Sequence, residues 1–366
     1  MTFVRWLHEY DPADRSRLGG KNASLGEMLA AGLPVPPGFA VTVDAYQTVR
    51  EHGEVRQAVR RLLAEVDLRD AAALQEISVA VRGRIEQVPL HDGVAQAVHR
   101  AYDALCDRCG SSQVPVAVRS SAIAEDLPDA SFAGEHDTFL WVRGAESVLR
   151  HVTRCWSSLF TARAIAYRHE TGHDHDVVAM AVGVQKMVRP KASGVAFTLN
   201  PSDGDRSQVA IEAAWGFGEG IVAGEVTPDS FLIDKVLGEI VKRTISDKRH
   251  EYRLTRRDTV ERAPVDPARR TAPSLTDDEV RAVARLARRA EKHYGCPQDV
   301  EWAIDHDLPA GANVTLLQAR PETVWSRRPH APVATTGGDV AASIVATLLS
   351  PLHARPSSDA AGPKRP

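Results

Sequence analysis

Two short stretches near residue 300 alternate polar and apolar side chains: Asp299-Val300-Glu301-Trp302 and Leu317-Gln318-Ala319-Arg320-Pro321. A period of two marks a half-buried strand. Asp299, Glu301, Ala303 and Asp305 then share one face, and Val300, Trp302 and Ile304 take the other. On the second strand Leu316, Gln318 and Arg320 fall together, against Leu317 and Ala319. The link Asp307-Leu308-Pro309-Ala310-Gly311-Ala312-Asn313 is turn chemistry. An antiparallel hairpin centred on Pro309 and Ala310 sets Glu301 opposite Gln318 and Asp299 opposite Arg320, and a one-residue slip would invert that match. Carboxylates, an amide and a guanidinium gathered so closely suit a magnesium ion that carries a phosphate. They suit equally a solvated sheet face with an ion pair on it. The rest of the chain must decide.

A chain of 366 residues has room for two or three subdomains with cores of their own. Its 43% hydrophobic and 25% charged residues are ordinary globular values. A formal charge of -3 gives no electrostatic reason to expect nucleic acid or an anionic membrane as partner. No apolar run approaches the roughly 20 residues a bilayer span needs. The opening Met1-Thr2-Phe3-Val4-Arg5-Trp6 does not read as a signal peptide, so a cytoplasmic location is expected. Cys106 and Cys109 form a C-x-x-C without the second ligand pair of a zinc site or the βαβ context of a redox motif. That spacing reads as accidental at a helix end, and structural disulfides are not expected in a reducing compartment.

Residues 20–31 read as a glycine-led loop entering a helix that Gly32 stops. A short strand at Val41 and Val43 follows, with Asp44 capping a mainly helical stretch over 44–108. Val116-Ala117-Val118-Arg119-Ser120-Ser121 is a strand running into a loop rich in Ser, Asp and Gly as far as Gly134. A helix over 145–170, a valine-rich strand over 176–188 and strands at 194–198 and 208–212 come next. Short strands occupy 229–245, a charged stretch 253–275, and an amphipathic helix 276–294 opens on the capping pattern Thr276-Asp277-Asp278-Glu279.

Four places could handle phosphate or a purine. Gly19-Gly20-Lys21 offers close backbone approach, a cation and a helix N-terminus, without the spacing of a Walker loop. Arg119 ends an apolar strand, where its fork suits phosphate oxygens or a structural salt bridge to Glu125 or Asp126. Ser131-Phe132-Ala133-Gly134-Glu135-His136-Asp137-Thr138 is a turn whose Gly134 and hydroxyls could fold over phosphates. Gln185 shares a strand face with Ala181, Gly183 and Met187, and the small neighbours leave room for a flat ring or simply expose the amide. Gly216-Phe217-Gly218-Glu219-Gly220 is not a dinucleotide fingerprint, and His169, His173 and His175 lack metal-ligand spacing.

Taken in order, these segments resemble the nucleotide-binding part of the pyruvate, phosphate dikinase and phosphoenolpyruvate synthase family, which includes rifampicin phosphotransferase. The stretches are Gly-Gly-Lys-Asn-Ala-Ser-Leu-Gly-Glu-Met (19–28), Val-Pro-Pro-Gly-Phe (35–39), Val-Arg-Ser-Ser-Ala (118–122) and Ser-Phe-Ala-Gly-Glu-His-Asp-Thr (131–138). Further on come Val-Gln-Lys-Met-Val (184–188), Ser-Gly-Val-Ala-Phe-Thr (193–198), Ala-Trp-Gly-Phe-Gly-Glu (214–219), Val-Thr-Pro-Asp (226–229), Asp-Val-Glu-Trp (299–302) and Leu-Gln-Ala-Arg-Pro (317–321). The resemblance implies an α+β chain of the ATP-grasp fold, with ATP and magnesium between two α+β subdomains. It implies a nucleotide-binding domain over 1–326, with subdomains near 1–112, 113–200 and 201–326, and a mostly disordered tail over 327–366. Lys21, Arg119 and Arg320 become the catalytic cations. Gly134 and Thr138 belong to the loop over the phosphates, Gln185 sits near adenine, and Glu301 and Gln318 hold magnesium and phosphate. Asp299 is a weaker candidate.

In the family, ATP is cleaved to AMP and its β-phosphate travels through a phosphohistidine to the final acceptor. None of the 14 histidines here sits in the family's Thr-Ser-His carrier motif. The expectation is therefore an ATP-binding subunit of a split phosphotransferase, with a separate phosphohistidine-carrier subunit as partner. A regulatory ATP-binding module and a stand-alone ATP-grasp kinase are the alternatives.

Overall fold

The computed structural model describes residues 2–64, 70–122, 137–172, 174–175 and 178–325. The strands β1 (Val4–Trp6), β2 (Gly38–Val41), β3 (Val116–Ala122), β4 (Thr138–Val142) and β5 (Met180–Lys186) form one antiparallel sheet in the order β1-β2-β5-β3-β4. The strands β6 (Pro190–Phe197), β7 (Gln208–Trp215), β8 (Asp229–Asp234) and β9 (Ile240–Thr244) join β12 (Gln298–Asp305) and β13 (Val314–Pro321) in a second, ordered β13-β12-β6-β7-β8-β9. Between them in sequence, β10 (His250–Leu254) and β11 (Val260–Pro264) make a separate two-stranded ribbon. The architecture is α+β, as expected.

Helices follow the same division. α1 (Arg15–Ala30) precedes β2, and α2 (Val43–Arg50), α3 (Gly53–Ala64), α4 (Ala71–Glu86) and α5 (Asp92–Cys109) lead to β3. α6 (Ala145–Ser157) and α7 (Ala162–Thr171) follow β4. The short α8 (Glu219–Val222) and α9 (Pro267–Arg270) flank the ribbon, and α10 (Asp277–Tyr294) runs into β12. The first core packs Phe39, Val118, Val182 and Val184 of the first sheet against α2 through α7, with Trp156 fully buried. The second core joins Val300, Trp302 and Ile304 to the Val280, Val283, Ala284, Ala287 and Ala290 stripe of α10, and α1 adds Leu18, Leu25 and Met28. That stripe recurs at three and four residues, which keeps it on one side of the helix. Its ends are fixed by the full Thr276–Glu279 capping box and by Gly295 in the left-handed region.

Several expected boundaries move. The first sheet draws strands from both sides of residue 112, and β6 enters the second sheet before residue 200, so the layers part at 187–189. The helix over 145–170 is two helices, because Ser158–Phe160 tighten into a 3-10 turn and the Thr161 hydroxyl caps a new start. Thr42, rather than Asp44, stands at the N-cap of α2; Asp44 lies in the first turn and accepts from Arg17 at 2.5 Å. The charged stretch 253–275 contains most of the ribbon. Residues 1–322 form one compact unit; the stretch 327–366 lies outside the described residues.

Contacts away from α1 also bind the first sheet to the rest of the chain. Trp141 of β4 touches Phe217 edge-on at 5.9 Å, and Arg143 pairs with Asp258 of the ribbon turn at 3.4 Å. Trp141 (φ 60°) and Asp258 (φ 57°) are the non-glycine residues of the described chain with positive φ, and both sit at this contact.

Candidate functional site

The β12–β13 hairpin pairs as its alternation demands: Asp299 with Arg320 and Glu301 with Gln318. The register then shifts between Glu301 and Trp302, so that Trp302 faces Leu316 and Leu317 is the extra residue of a bulge. The bulge inverts the alternation beyond it. Leu316 enters the second core, fully buried, instead of sharing a face with Gln318 and Arg320. Leu317 lines the crevice beside Gln318.

Arg119, in the middle of β3 between β5 and β4, reaches across to this hairpin. Its Nη2 donates to Gln318 Oε1 at 3.1 Å and Glu301 Oε2 at 3.4 Å, and its Nη1 donates to the carbonyl of Leu317 at 3.3 Å. The side chains of Arg119 and Glu301 remain 24% and 33% exposed, so this is a loose, wet contact rather than a sealed ion pair. Arg320 Nε lies 3.2 Å from Asp299 Oδ2 and is itself 60% exposed. Burial pushes the Asp299 carboxyl up from its ordinary range, against the pull of Arg320, and Oδ1 is buried without a hydrogen-bond partner. Thr138 stands directly opposite Arg119 on β4 and is exposed. Gly134 lies outside the described residues, as do Glu125 and Asp126.

Lys21 comes to the same place from α1. That helix is broken at Gly19 (φ 70°, ψ 164°), so Gly20 and Lys21 open the segment that follows, as the glycine-led reading expects. A Cβ at Gly19 would lie 2.3 Å from the Ser121 carbonyl, which makes glycine obligatory where α1 crosses β3. Lys21 lines a crevice of about 310 Å³, solvent at its mouth included, together with Arg119, Gln185, Leu317 and Gln318. Gln185 is 4% exposed and donates from Nε2 to the carbonyl of Pro36 at 3.2 Å. The room beside it differs from the expectation. A Cβ on Gly183 would meet Asn22 Oδ1 at 2.3 Å, so the gap opposite Arg119 holds the Asn22 side chain.

The structure thus brings Lys21, Arg119, Gln185, Glu301 and Gln318 to one cleft, with Thr138 beside Arg119 and Arg320 one step along the hairpin. Asn22 and the Leu317 carbonyl escaped sequence reasoning. The first is a buried polar residue whose anchor, Leu18 O at 2.8 Å, lies one turn back, and the second is exposed only by the bulge. The Gly216 loop packs on the ribbon: a Cβ there would fall 2.1 Å from Tyr252 O. Among the described residues, no group of three or more His, Cys, Asp or Glu side chains is placed to hold a metal by itself.

Residues 15–337 match the family described as pyruvate phosphate dikinase, AMP/ATP-binding domain. The chain belongs to that family. Among curated proteins, this member of the dikinase AMP/ATP-binding family is 44% identical over 327 residues to the probable phosphoenolpyruvate synthase of Methanocaldococcus jannaschii, covering 89% of this chain and 27% of that protein. It is 42% identical to the probable phosphoenolpyruvate synthase of Staphylothermus marinus, over 89% of this chain and 42% of the relative. Against the phosphoenolpyruvate synthase of Pyrococcus furiosus the identity is 39%, over 88% of this chain and 44% of the relative. The dikinase-family chain therefore spans less than half the length of these relatives. None of its described helices is long and apolar enough to cross a membrane.

Proposed function

We propose that this chain binds Mg-ATP in the crevice between its two sheets, in the manner of an ATP-grasp domain, as the nucleotide-binding part of a phosphoenolpyruvate synthase-like phosphotransferase. One observation carries the reading: Arg119 of the first sheet meets Glu301 and Gln318 of the second in the crevice that Lys21 lines. Cations and oxygen ligands held on opposite walls match a polyphosphate with a divalent ion. Lys21, Arg119 and Arg320 neutralise phosphate oxygens, Gln185 lies toward adenine, and Thr138, opposite Arg119 on β4, stands at the phosphate end.

The donor set fits magnesium. The hairpin supplies the Glu301 carboxylate and the Gln318 amide, with the bare Asp299 Oδ1 close behind. Magnesium takes one or two such protein oxygens and completes its octahedron with water and phosphate. When bound, the ion supplies charge neutralisation on the phosphates, and Glu301 and Gln318 orient it. The work left to the chain is positioning and electrostatic stabilisation, with little covalent chemistry. ATP is cleaved to AMP: the β-phosphate passes to a carrier histidine outside this domain, on a separate chain in the arrangement we favour, and the γ-phosphate is lost to water as inorganic phosphate. A cytoplasmic location goes with that reading.

Calorimetric titration with Mg-ATP tests the site: Glu301→Ala and Arg320→Ala are expected to lose most of the affinity, and wild-type affinity in both would refute the assignment. Incubation with ATP then tests the division of labour. AMP released only when a histidine-bearing partner is added supports it. AMP from the chain alone indicates a self-contained enzyme, and tight binding without AMP under any condition indicates a regulatory module.

A further inference from the structure

The strand that carries Gln318 and Arg320 is the edge of the second sheet. An edge leaves a row of N–H and C=O groups without ladder partners, and these need cover. Here the cover comes from the segment that carries Lys21. Leu316 N donates to the carbonyl of Pro34 at 2.8 Å, just after α1, and the Ala319 carbonyl accepts from Ser24 Oγ at 2.8 Å. Ser24 lies one helical turn beyond Lys21, on the same side of α1, and Ala319 sits between Gln318 and Arg320. One hydroxyl thus ties the helix that bears the lysine to the strand that bears the amide and the arginine.

A second group holds that hydroxyl. Tyr294, the last residue of α10, has its phenolic oxygen 3.1 Å from Ser24 Oγ and 3.1 Å from the Ser24 carbonyl. Proton counting orders the bonds. Ser24 has a single O–H, and the Ala319 carbonyl can only accept, so the Ser24 proton points at Ala319. The Tyr294 proton then faces Ser24 Oγ and Ser24 O, with the Glu27 carboxylate beside them, and the phenol fixes the serine from the α10 side. Burial, the largest cause, pushes the Tyr294 phenol up to about 12, so it stays a donor throughout the working range. On the opposite side of α1, Asn22 N donates to Ser121 Oγ at 3.4 Å and holds the helix against the first sheet.

We infer that Ser24 and Tyr294 are positioning residues that set the height of Lys21 against Gln318 and Arg320, and so match the cleft to the phosphate chain. The inference rests on the Mg-ATP reading above. Misplacing a binding group by about 1 Å is costly for the interactions it makes and neutral for those elsewhere. The full chain is titrated with Mg-ATP and separately with AMP, for wild type, Ser24→Ala, Tyr294→Phe, Ser24→Thr and Lys21→Ala. Ser24→Ala and Tyr294→Phe are expected to lower the ratio of ATP to AMP affinity by roughly tenfold, and Ser24→Thr, which keeps the hydroxyl, to restore most of it. A merely structural role would move unfolding midpoints and weaken both nucleotides alike. Loss in Lys21→Ala with an unchanged ratio in Ser24→Ala and Tyr294→Phe would overturn the inference and leave the ATP reading standing. Undiminished ATP affinity in Lys21→Ala would remove both.

Discussion

Two ion clusters each draw a carboxylate from the second sheet, and they differ in nearly every physical respect. Lys248 and Asp229 are fully buried, 2.6 Å apart. Asp229 also accepts from Ser246 N at 3.0 Å, Ser274 N at 2.8 Å and Ser274 Oγ at 2.7 Å, while Lys248 donates to Ser246 O at 3.0 Å. Both carboxylate oxygens are taken. Arg119 and Glu301, by contrast, are half-buried at 3.4 Å, and the neighbouring Asp299 keeps one oxygen bare. A saturated cluster has no valence left for a ligand, so its value is structural. An unsaturated one holds its charges together at a cost and leaves them ready for something else.

The largest effect that would break this contrast is on stability. Asp229→Ala strands a buried ammonium and is expected to lower the unfolding free energy by about 3–5 kcal/mol. Urea denaturation measures it, and the molecules that remain folded should keep wild-type Mg-ATP affinity. Glu301→Ala should do the reverse. Its loss of stability should stay under about 1 kcal/mol, because the pair it breaks is wet and long. Its Mg-ATP affinity should fall at least about tenfold, since a contact to a charged group is removed. Equal destabilisation by the two substitutions would erase the distinction between the clusters.

The same contrast separates what could be read in the sequence from what could not. The pairing of Asp299 with Arg320 and of Glu301 with Gln318 was legible, because one turn and a period of two fix it. The bulge was not. Leu316 and Leu317 are the same residue type, so hydropathy is silent on which one enters the core. Gly183 was legible as small but not as the seat of Asn22, because a gap on a strand looks alike whether a ligand or a distant side chain fills it. Arg119 was expected at a strand end but lies in the middle of β3, because the ladder with β5 continues through Ser120, Ser121 and Ala122, and its reach to the hairpin depends on tertiary packing of two sheets. Lys248 gave no signal at all: a lysine that ends fully buried is rare, and its partner lies 19 residues away. The ribbon over His250–Pro264 was hidden because most of its positions stay in contact with water, leaving no apolar period.

Asp299 sharpens the comparison from the pH side. Burial raises its carboxyl in the folded state, so the fold binds that proton more readily than the unfolded chain does. Stability from this group is complete below the unfolded value of about 4 and is lost as pH rises through the folded value. At neutral pH the charged Asp299 is therefore a burden that the site tolerates. Asp299→Asn should raise the midpoint of thermal unfolding at pH 7 and weaken Mg-ATP binding, with the stability gain shrinking as the solution is acidified toward pH 4. A variant less stable than wild type at pH 7 would place Asp299 with the saturated kind.

Glu279 supplies the smallest effect and the opposite sign. Desolvation alone would raise its carboxyl, but Lys191, 2.8 Å away, and the Thr276 N–H of the capping box outweigh it and hold the carboxyl below its ordinary range. A depressed carboxylate stabilises the fold above the unfolded value of about 4.3, and that contribution disappears as pH falls through the folded value. Glu279→Gln should thus cost about 1 kcal/mol near neutrality, and the gap to wild type should close in acid. Asp299→Asn then converges on wild type above about pH 4 and Glu279→Gln below about pH 4.3, from opposite directions. That difference in sign and range separates a carboxylate kept for the fold from one kept in spite of it, and thermal scans of the two variants at matched pH read it directly.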